Sequence, residues 1–145
     1  MQIKYNILSL KESEFKINYD HKMENKEALT FEFFHNVKAD RNAKIIIVEA
    51  GAHILTAERH TILAEDIVRA EFSIVPFDEV VKQDDDNAFQ TTVPQLVDTF
   101  INVTLGALRG IFAKNLSGTY LDGFVLPLIP MNVISDSHKR KAQKK

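Results

Sequence analysis

The chain has 145 residues, of which 45% are hydrophobic and 26% are charged, and its net charge is −2. These values predict one globular domain with a real core, and a charge so close to zero makes nucleic acid an unlikely partner. The absence of cysteine excludes disulfides, thiolate zinc sites and cysteine nucleophiles. The first residues lack the apolar core of a signal peptide, and no uninterrupted apolar run approaches the 18 or so residues of a membrane span. We therefore expect a cytoplasmic protein without membrane insertion.

The first half of the chain has the alternating apolar pattern of β-strands. Its phase changes at Leu8, which predicts a bulge or bend in the first strand. In the second strand Phe34 is the one large apolar residue on its side, and the fourth strand stops at Pro76. The third strand is apolar on both faces and is expected to be central. The four predicted strands cover residues 3–19, 29–37, 45–48 and 67–75.

A long helix is predicted from residue 92 to residue 115, with a length of about 36 Å. Thr92 is the expected N-cap, with Gln95 three residues on as its return partner and a proline in the first turn. Asn115 and Gly118 are the expected stop, because both residue types tolerate the left-handed conformation that closes helices. The acidic stretch 84–87 before the helix is interpreted as a solvated linker.

The apolar residues of this helix span roughly 200° of its circumference, twice the stripe that a surface helix needs. The opposite face carries Asn102, Gly106 and Gly110. The two glycines would let a second backbone approach closely, so we predict an oligomer interface there. The alternative is that the glycines merely save space, at a cost of about 1 kcal/mol each relative to alanine.

The strands precede one dominant helix, which predicts an α+β fold: a four-stranded antiparallel sheet with one long helix packed on one face. One helix cannot cover both faces of such a sheet, and uncovered apolar surface usually marks a partner or a second subunit. We expect a single domain at 1–134 and a basic, disordered tail at 135–145. A basic tail could also contact phosphates, but this one lacks the aromatic residues that stack on bases.

The segment from Leu116 to Asn132 is strongly apolar but is interrupted by two glycines and two prolines. It therefore forms neither a regular helix nor an interior strand. Two interpretations stay open: a structural lid over the core, and a wall of a binding groove.

The sequence lacks the motifs of common catalytic and cofactor sites. It contains no glycine-rich phosphate loop and no nucleophile elbow. Its five histidines lack ligand-like spacing, and the acidic run at 84–86 lacks the remaining ligands of a calcium loop. We expect no enzymatic activity, no cofactor and no metal.

Three groups of residues stand out in the layout of strands, linker and long helix: Arg109-Gly110-Ile111-Phe112, Gly118-Thr119, and Leu126-Pro127-x-x-Pro130-x-Asn132. In this layout and in these motifs the chain resembles the SecB-like export chaperones. The resemblance implies a SecB-like fold and an ATP-independent holdase that binds unfolded polypeptides or preproteins for export.

The resemblance also implies a homotetramer built as a dimer of dimers, with long helices packed across the subunit interface. It places a client-binding groove along the segment after the helix, with weaker candidates at the end of the fourth strand. The implied groove residues are Phe72, Ile74, Phe77, Tyr120, Phe124, Val125, Leu126 and Ile129.

Members of the family often have an acidic character and a second helix after this motif, whereas this chain has only 13 residues after residue 132, and their character is basic. A docking surface for a SecA-type motor is therefore in doubt. One alternative is a chaperone dedicated to one partner, such as an antitoxin. The others are an adaptor for a single folded partner, and a small-ligand or hydrolytic domain with its pocket between helix and sheet.

Overall fold

A computed structural model of the chain describes residues 2–21, 27–83, 89–93 and 95–129. The predicted linker 84–87, Pro130, Asn132 and the tail 135–145 lie outside the described residues. The elements, in chain order, are β1 Lys4–Ile17, β2 Leu29–Asp40, β3 Ile45–Thr56, β4 Ile62–Val75, α1 Phe77–Val80, β5 Val81–Gln83, β6 Phe89–Thr91 and α2 Leu96–Leu116.

The long strands form one antiparallel sheet in the order β1-β4-β3-β2. This confirms the predicted α+β fold, and β3 is central as its doubly apolar pattern indicates. The register between β1 and β4 shifts between Ile7 and Ser9, so the bulge predicted at Leu8 is confirmed. A second shift between Glu12 and Glu14 was not predicted.

Helix α2 packs on one face of the sheet, over the two central strands. Small residues such as Ala50 and Ala70 line the sheet below it and let the helix lie close. The ring of Phe100 stacks on Phe72 with a centroid separation of 4.2 Å, and Phe112 meets Phe15 edge-on at 6.2 Å. The helix therefore runs from the end of β4 back towards its beginning.

The predicted start of the helix is wrong by about a turn. The helix begins at Leu96, and Gln95 precedes it in the left-handed conformation with φ 65°. Thr92 does not cap it, because its N–H donates to the carbonyl of Val80 at 2.8 Å and its hydroxyl to that of Glu79 at 3.2 Å. Tertiary contact with α1 thus overrides the local capping pattern. The helix is about 32 Å long, and its predicted end is confirmed.

The sheet face away from α2 is mixed in character rather than uniformly apolar. The ring of Phe34 covers Gly51 so closely that a Cβ there would lie 2.2 Å from it. Charged and polar residues of β4 point to this side, namely Glu65, Arg69, Glu71 and Ser73. Much of the exposed apolar surface is instead on the edge strand β1, at Tyr5, Ile7, Leu8 and Leu10.

Candidate functional site

The chain reverses direction directly after α2, and we call residues 117–129 the return segment. Gly118 and Gly123 have φ angles of 81° and 89°, which favour glycine over residues with a Cβ. The N–H of Gly118 donates to the Asp122 carboxylate at 3.0 Å, and the N–H of Phe124 donates to the carbonyl of Leu121 at 3.1 Å. These turns send the segment back along the helix that it has just left.

Arg109 holds the middle of the return segment against the helix. Its Nε donates to the carbonyl of Leu126 at 2.9 Å, and its Nη2 donates to the carbonyl of Pro127 at 3.1 Å. Residues 124–129 have no regular secondary structure, which confirms the prediction for the described part of this region. Leu126 is buried in the core, so a side-chain anchor and a main-chain clamp act at one position.

The residues around this anchor expose apolar side chains. Val125 is 57% exposed and Leu128 is 84% exposed, and a leucine so exposed on a fixed segment is available to a partner. Phe124 and Ile129 are half-buried against the core. The return segment thus carries five of the predicted groove residues, one of which is the buried Leu126, whereas the highly exposed Leu128 was not among the predicted residues.

Tyr120 lies at the turn of the return segment and is tied to the end of β1. Its hydroxyl donates to the carbonyl of Asn18 at 2.5 Å. Partial burial raises the pKa of Tyr120, and the nearby Glu27 and Tyr19 raise it further. Tyr120 remains 36% exposed, so part of its apolar surface is accessible on the return segment.

Three predicted groove residues lie elsewhere. Phe72, Ile74 and Phe77 are almost completely buried. Phe72 lies beneath Phe100 near the start of α2, whereas the return segment begins at the end of that helix. In the single chain these three side chains are core, and their contact with a ligand stays a prediction.

Strand β2 adds an apolar row that was not among the predicted site residues. Phe31 and Phe33 meet edge-on at 5.0 Å, and both are partly buried on the side of the sheet that faces α2. Because α2 packs over β3 and β4, this row lies at the margin of the core, on an edge strand. The alternation of aromatic residues along β2 was the sequence signal for this row. Its position at the margin of the core follows only from the strand order.

The predicted interface face of α2 is open in the single chain. Asn102, Gly106 and Gly110 are exposed, and a Cβ added at either glycine would meet no atom within 4 Å. Val103, on the same side, is 45% exposed. The wide apolar arc of the helix therefore extends beyond what the sheet covers, and the identity of the covering partner stays a prediction.

A pair of acidic side chains, the buried Asp66 and the exposed Glu12, joins β1, β4 and the last turn of α2. The side-chain amide of Asn115 donates to Glu12 at 2.5 Å and to Asp66 at 3.2 Å. Burial raises the pKa of the Asp66 carboxyl to about 8, and the adjacent Glu12 carboxyl adds to the effect. Asp66 is completely buried, and its Oδ1 has no hydrogen-bond partner in the described part of the chain.

The other polar features of the described residues are an open cleft and separate ion pairs, which do not converge on one site. An open cleft of about 380 Å³ lies between Lys44 and the end of β4, where Lys44 lies 3.0 Å from Asp78 and lowers the pKa of that carboxyl. His53 hydrogen-bonds to Glu65, and its other ring nitrogen lies 3.7 Å from Glu32. Among the described residues, no three histidine or acidic side chains are grouped as metal ligands.

The fold matches a solved structure of a chaperone. The SecB-like chaperone Rv1957 of Mycobacterium tuberculosis, solved with a ChAD peptide from the HigA1 antitoxin Rv1956, superposes with a TM-score of 0.55. The match covers 87% of this chain and 88% of that one, with 13% identical residues. The chain has a SecB-like fold. No protein-family model and no curated protein sequence matches it.

The SecB-like fold confirms the resemblance inferred from residues 109–132 at the level of architecture. It also explains the character of α2, which is long and apolar enough to cross a membrane by length and composition alone. A helix that packs against a sheet passes the same test, and the buried side of α2 packs on β3 and β4.

Proposed function

We propose that this chain is an ATP-independent holdase that binds unfolded polypeptide segments on the return segment, with the aromatic row of β2 as a second contact surface. The observation that carries the proposal is the exposure of Val125 and Leu128 on a segment whose main chain Arg109 holds in place. A fixed, irregular, apolar surface accepts many side-chain sequences, and binding the unfolded state by mass action needs no nucleotide.

The SecB-like neighbour supports a polypeptide as the ligand, because it was solved with a peptide bound. Extended polypeptides bind through apolar side chains that enter pockets, with further contacts from their main chain. In this proposal Tyr120, Phe124 and Ile129 provide the partly buried aromatic and aliphatic contacts. Leu126 orders the segment from within the core.

The proposal includes cytoplasmic location and assembly into a homotetramer through the face of Asn102, Gly106 and Gly110. That face is open and closely approachable, and further subunits would cover apolar surface that the single chain leaves exposed. Delivery of preproteins for export, with or without a SecA-type motor, is part of the same proposal.

A second candidate is a chaperone dedicated to one partner, such as an antitoxin. The observation that favours it is the antitoxin peptide on the structural neighbour. The two candidates differ in the range of polypeptides that they bind. A general holdase binds unrelated unfolded polypeptides with similar affinities, whereas a dedicated chaperone binds only its partner.

The first experiment measures binding of three unrelated, permanently unfolded, fluorescently labelled polypeptides by anisotropy, without ATP. We expect similar Kd values for all three and a double variant V125D/L128D that binds each at least tenfold more weakly. Full burial of one such apolar side chain contributes about 1.5–3 kcal/mol, and about 1.4 kcal/mol is a tenfold change in Kd.

Val75→Asp is the matched control, because Val75 is equally exposed at 60% but lies at the far end of β4. Equal weakening by this control would show a general effect of added charge and contradict the proposed surface. If the wild-type chain binds none of the three polypeptides, the general holdase is refuted and the dedicated-partner candidate is favoured.

A further inference from the structure

Arg109 makes the only hydrogen bonds that reach the stretch 125–129 from any described residue. Its Nε and Nη2 bind two consecutive carbonyls, those of Leu126 and Pro127. Pro127 has no N–H, and the stretch belongs to no helix or strand. The conformation of this stretch therefore depends on one guanidinium, the buried Leu126 and the half-buried Ile129.

The chemistry of this clamp is specific to arginine. A guanidinium is planar and donates in fixed directions, so it can bind two neighbouring acceptors simultaneously. A lysine at the same position would keep the charge but place a single ammonium point near the carbonyls. Arg109 is half-buried, which strengthens its hydrogen bonds relative to those of a fully exposed side chain.

The clamp determines how the binding surface is presented. With Leu126 directed into the core, the exposed Val125 and Leu128 lie on either side of the clamped carbonyls. Without the clamp, a ligand would have to order these residues as it binds, and ordering a flexible segment weakens affinity. Preorganised contact groups bind more tightly for the same contacts.

We propose that Arg109 is a positioning residue for client binding: it holds the carbonyls of Leu126 and Pro127 so that Val125 and Leu128 are presented in an ordered surface. This inference rests on the proposed function of the return segment. Arg109 itself does not contact the client. Its effect on affinity passes through the main chain of the return segment.

The test compares R109M, R109K and the control K114M, which removes an exposed cation from the same helix. Kd is measured with a labelled, permanently unfolded polypeptide, and unfolding midpoints are measured in urea. We expect R109M to bind about tenfold more weakly, which corresponds to about 1.4 kcal/mol. We expect R109K to be weakened to a lesser degree and K114M to be unchanged, all with midpoints near that of the wild type.

A loss of overall stability alone would not change the order of the return segment in the folded chain, so methyl relaxation of Val125, Leu126 and Leu128 provides the second measurement. We expect lower methyl order parameters in R109M at these three residues and unchanged values in the core. If R109M does not fold, the Kd and methyl order parameters of R109K are compared with those of the wild type instead, because lysine keeps the charge and a side chain of similar length.

Comparison with V125D/L128D separates the two proposals. If that double variant binds the polypeptide as the wild type does, the return segment is not the client surface and the proposed function is overturned. If the double variant binds weakly while R109M and R109K bind as the wild type does, the role of Arg109 alone is overturned.

Discussion

Replacing Asp66 by asparagine should change how the stability of the fold depends on pH. Asp66 is completely buried beneath the last turn of α2, beside Glu12 and Asn115. Burial and the Glu12 carboxyl raise the pKa of Asp66 from 3.8 to about 8, although Asn115 and the N–H of Ile67 act in the opposite direction. The folded chain therefore keeps this proton at pH 7.

The sign of the effect follows from proton binding in the two states. Between about pH 4 and pH 8 the unfolded chain has lost the Asp66 proton while the folded chain retains it, so raising the pH favours unfolding. For one proton, the free energy of unfolding falls by at most about 1.4 kcal/mol per pH unit. Below about pH 4 the contribution of Asp66 to the free energy of unfolding is fully present, and above about pH 8 it is completely lost.

The D66N variant keeps a neutral side chain of similar shape and lacks this proton. Between pH 5 and pH 7 we expect its free energy of unfolding to rise relative to that of the wild type by up to about 2.7 kcal/mol. That is a large fraction of the 5–15 kcal/mol of a typical domain. Urea denaturation at half-unit steps of pH measures it, with ¹³C NMR titration of the Asp66 carboxyl as a direct check.

Asp78→Asn provides a control of opposite sign. Lys44 lowers the pKa of Asp78, so this pair contributes stability above the usual carboxyl pKa and loses it as the pH falls through the lowered value. The wild type should therefore gain on D78N only as the pH rises towards the ordinary carboxyl pKa of 3.8, and the stability difference between these two should stay constant from pH 5 to pH 8, where the wild type loses on D66N. A stability difference between D66N and wild type that stays constant from pH 5 to pH 8 would refute the assignment of a buried, protonated Asp66.

Two further predictions concern α2. Phe100→Ala removes the ring that stacks on Phe72 and should destabilise the fold by about 3–5 kcal/mol in urea denaturation. Val103→Ala changes an exposed position and should cost less than about 1 kcal/mol. Equal losses of stability in the two variants would contradict the orientation of the helix. Gly106→Leu and Gly110→Leu should leave the circular dichroism spectrum intact, because both sites are open in the single chain. The same variants should lower the light-scattering mass from about four times 16.5 kDa if this face joins subunits, and an unchanged tetramer mass would remove the face from the interface.

The elements that sequence alone predicted are the ones with strong periodicity. The existence of all four long strands, the bulge at Leu8 and the end of the helix follow from apolar patterning and local chemistry. The bounds of two strands do not: β3 was predicted only to residue 48 but extends to Thr56, and β4 was predicted only from residue 67 but begins at Ile62. The short helix α1 and the ladder of β5 with β6 contain only three or four residues each, too few for a pattern to emerge. The start of α2 was misplaced because α1, itself not predicted, binds Thr92.

The candidate site was only partly predictable for a different reason. The glycines and prolines after α2 indicated an irregular apolar segment, and the structure places Val125 and Leu128 at its surface. The burial of Phe72 and the marginal position of Phe33 depend on which strands the helix covers. That is a property of strand order, which alternation within each strand does not encode.

Three stretches of exposed apolar surface on the described part of the chain have different physical requirements. The edge strand β1, with Tyr5 and Leu8 exposed, and the open face of α2 are regular elements, which suit a symmetric contact between identical chains. The return segment is irregular and is fixed by Arg109, which suits a ligand of variable sequence. Subunit contacts depend on the concentration of this chain alone, whereas client contacts saturate with added polypeptide. A charge introduced at Val125 and Leu128 should therefore reduce polypeptide binding without reducing the mass of the assembly, and a loss of both together would place subunit contacts on the return segment.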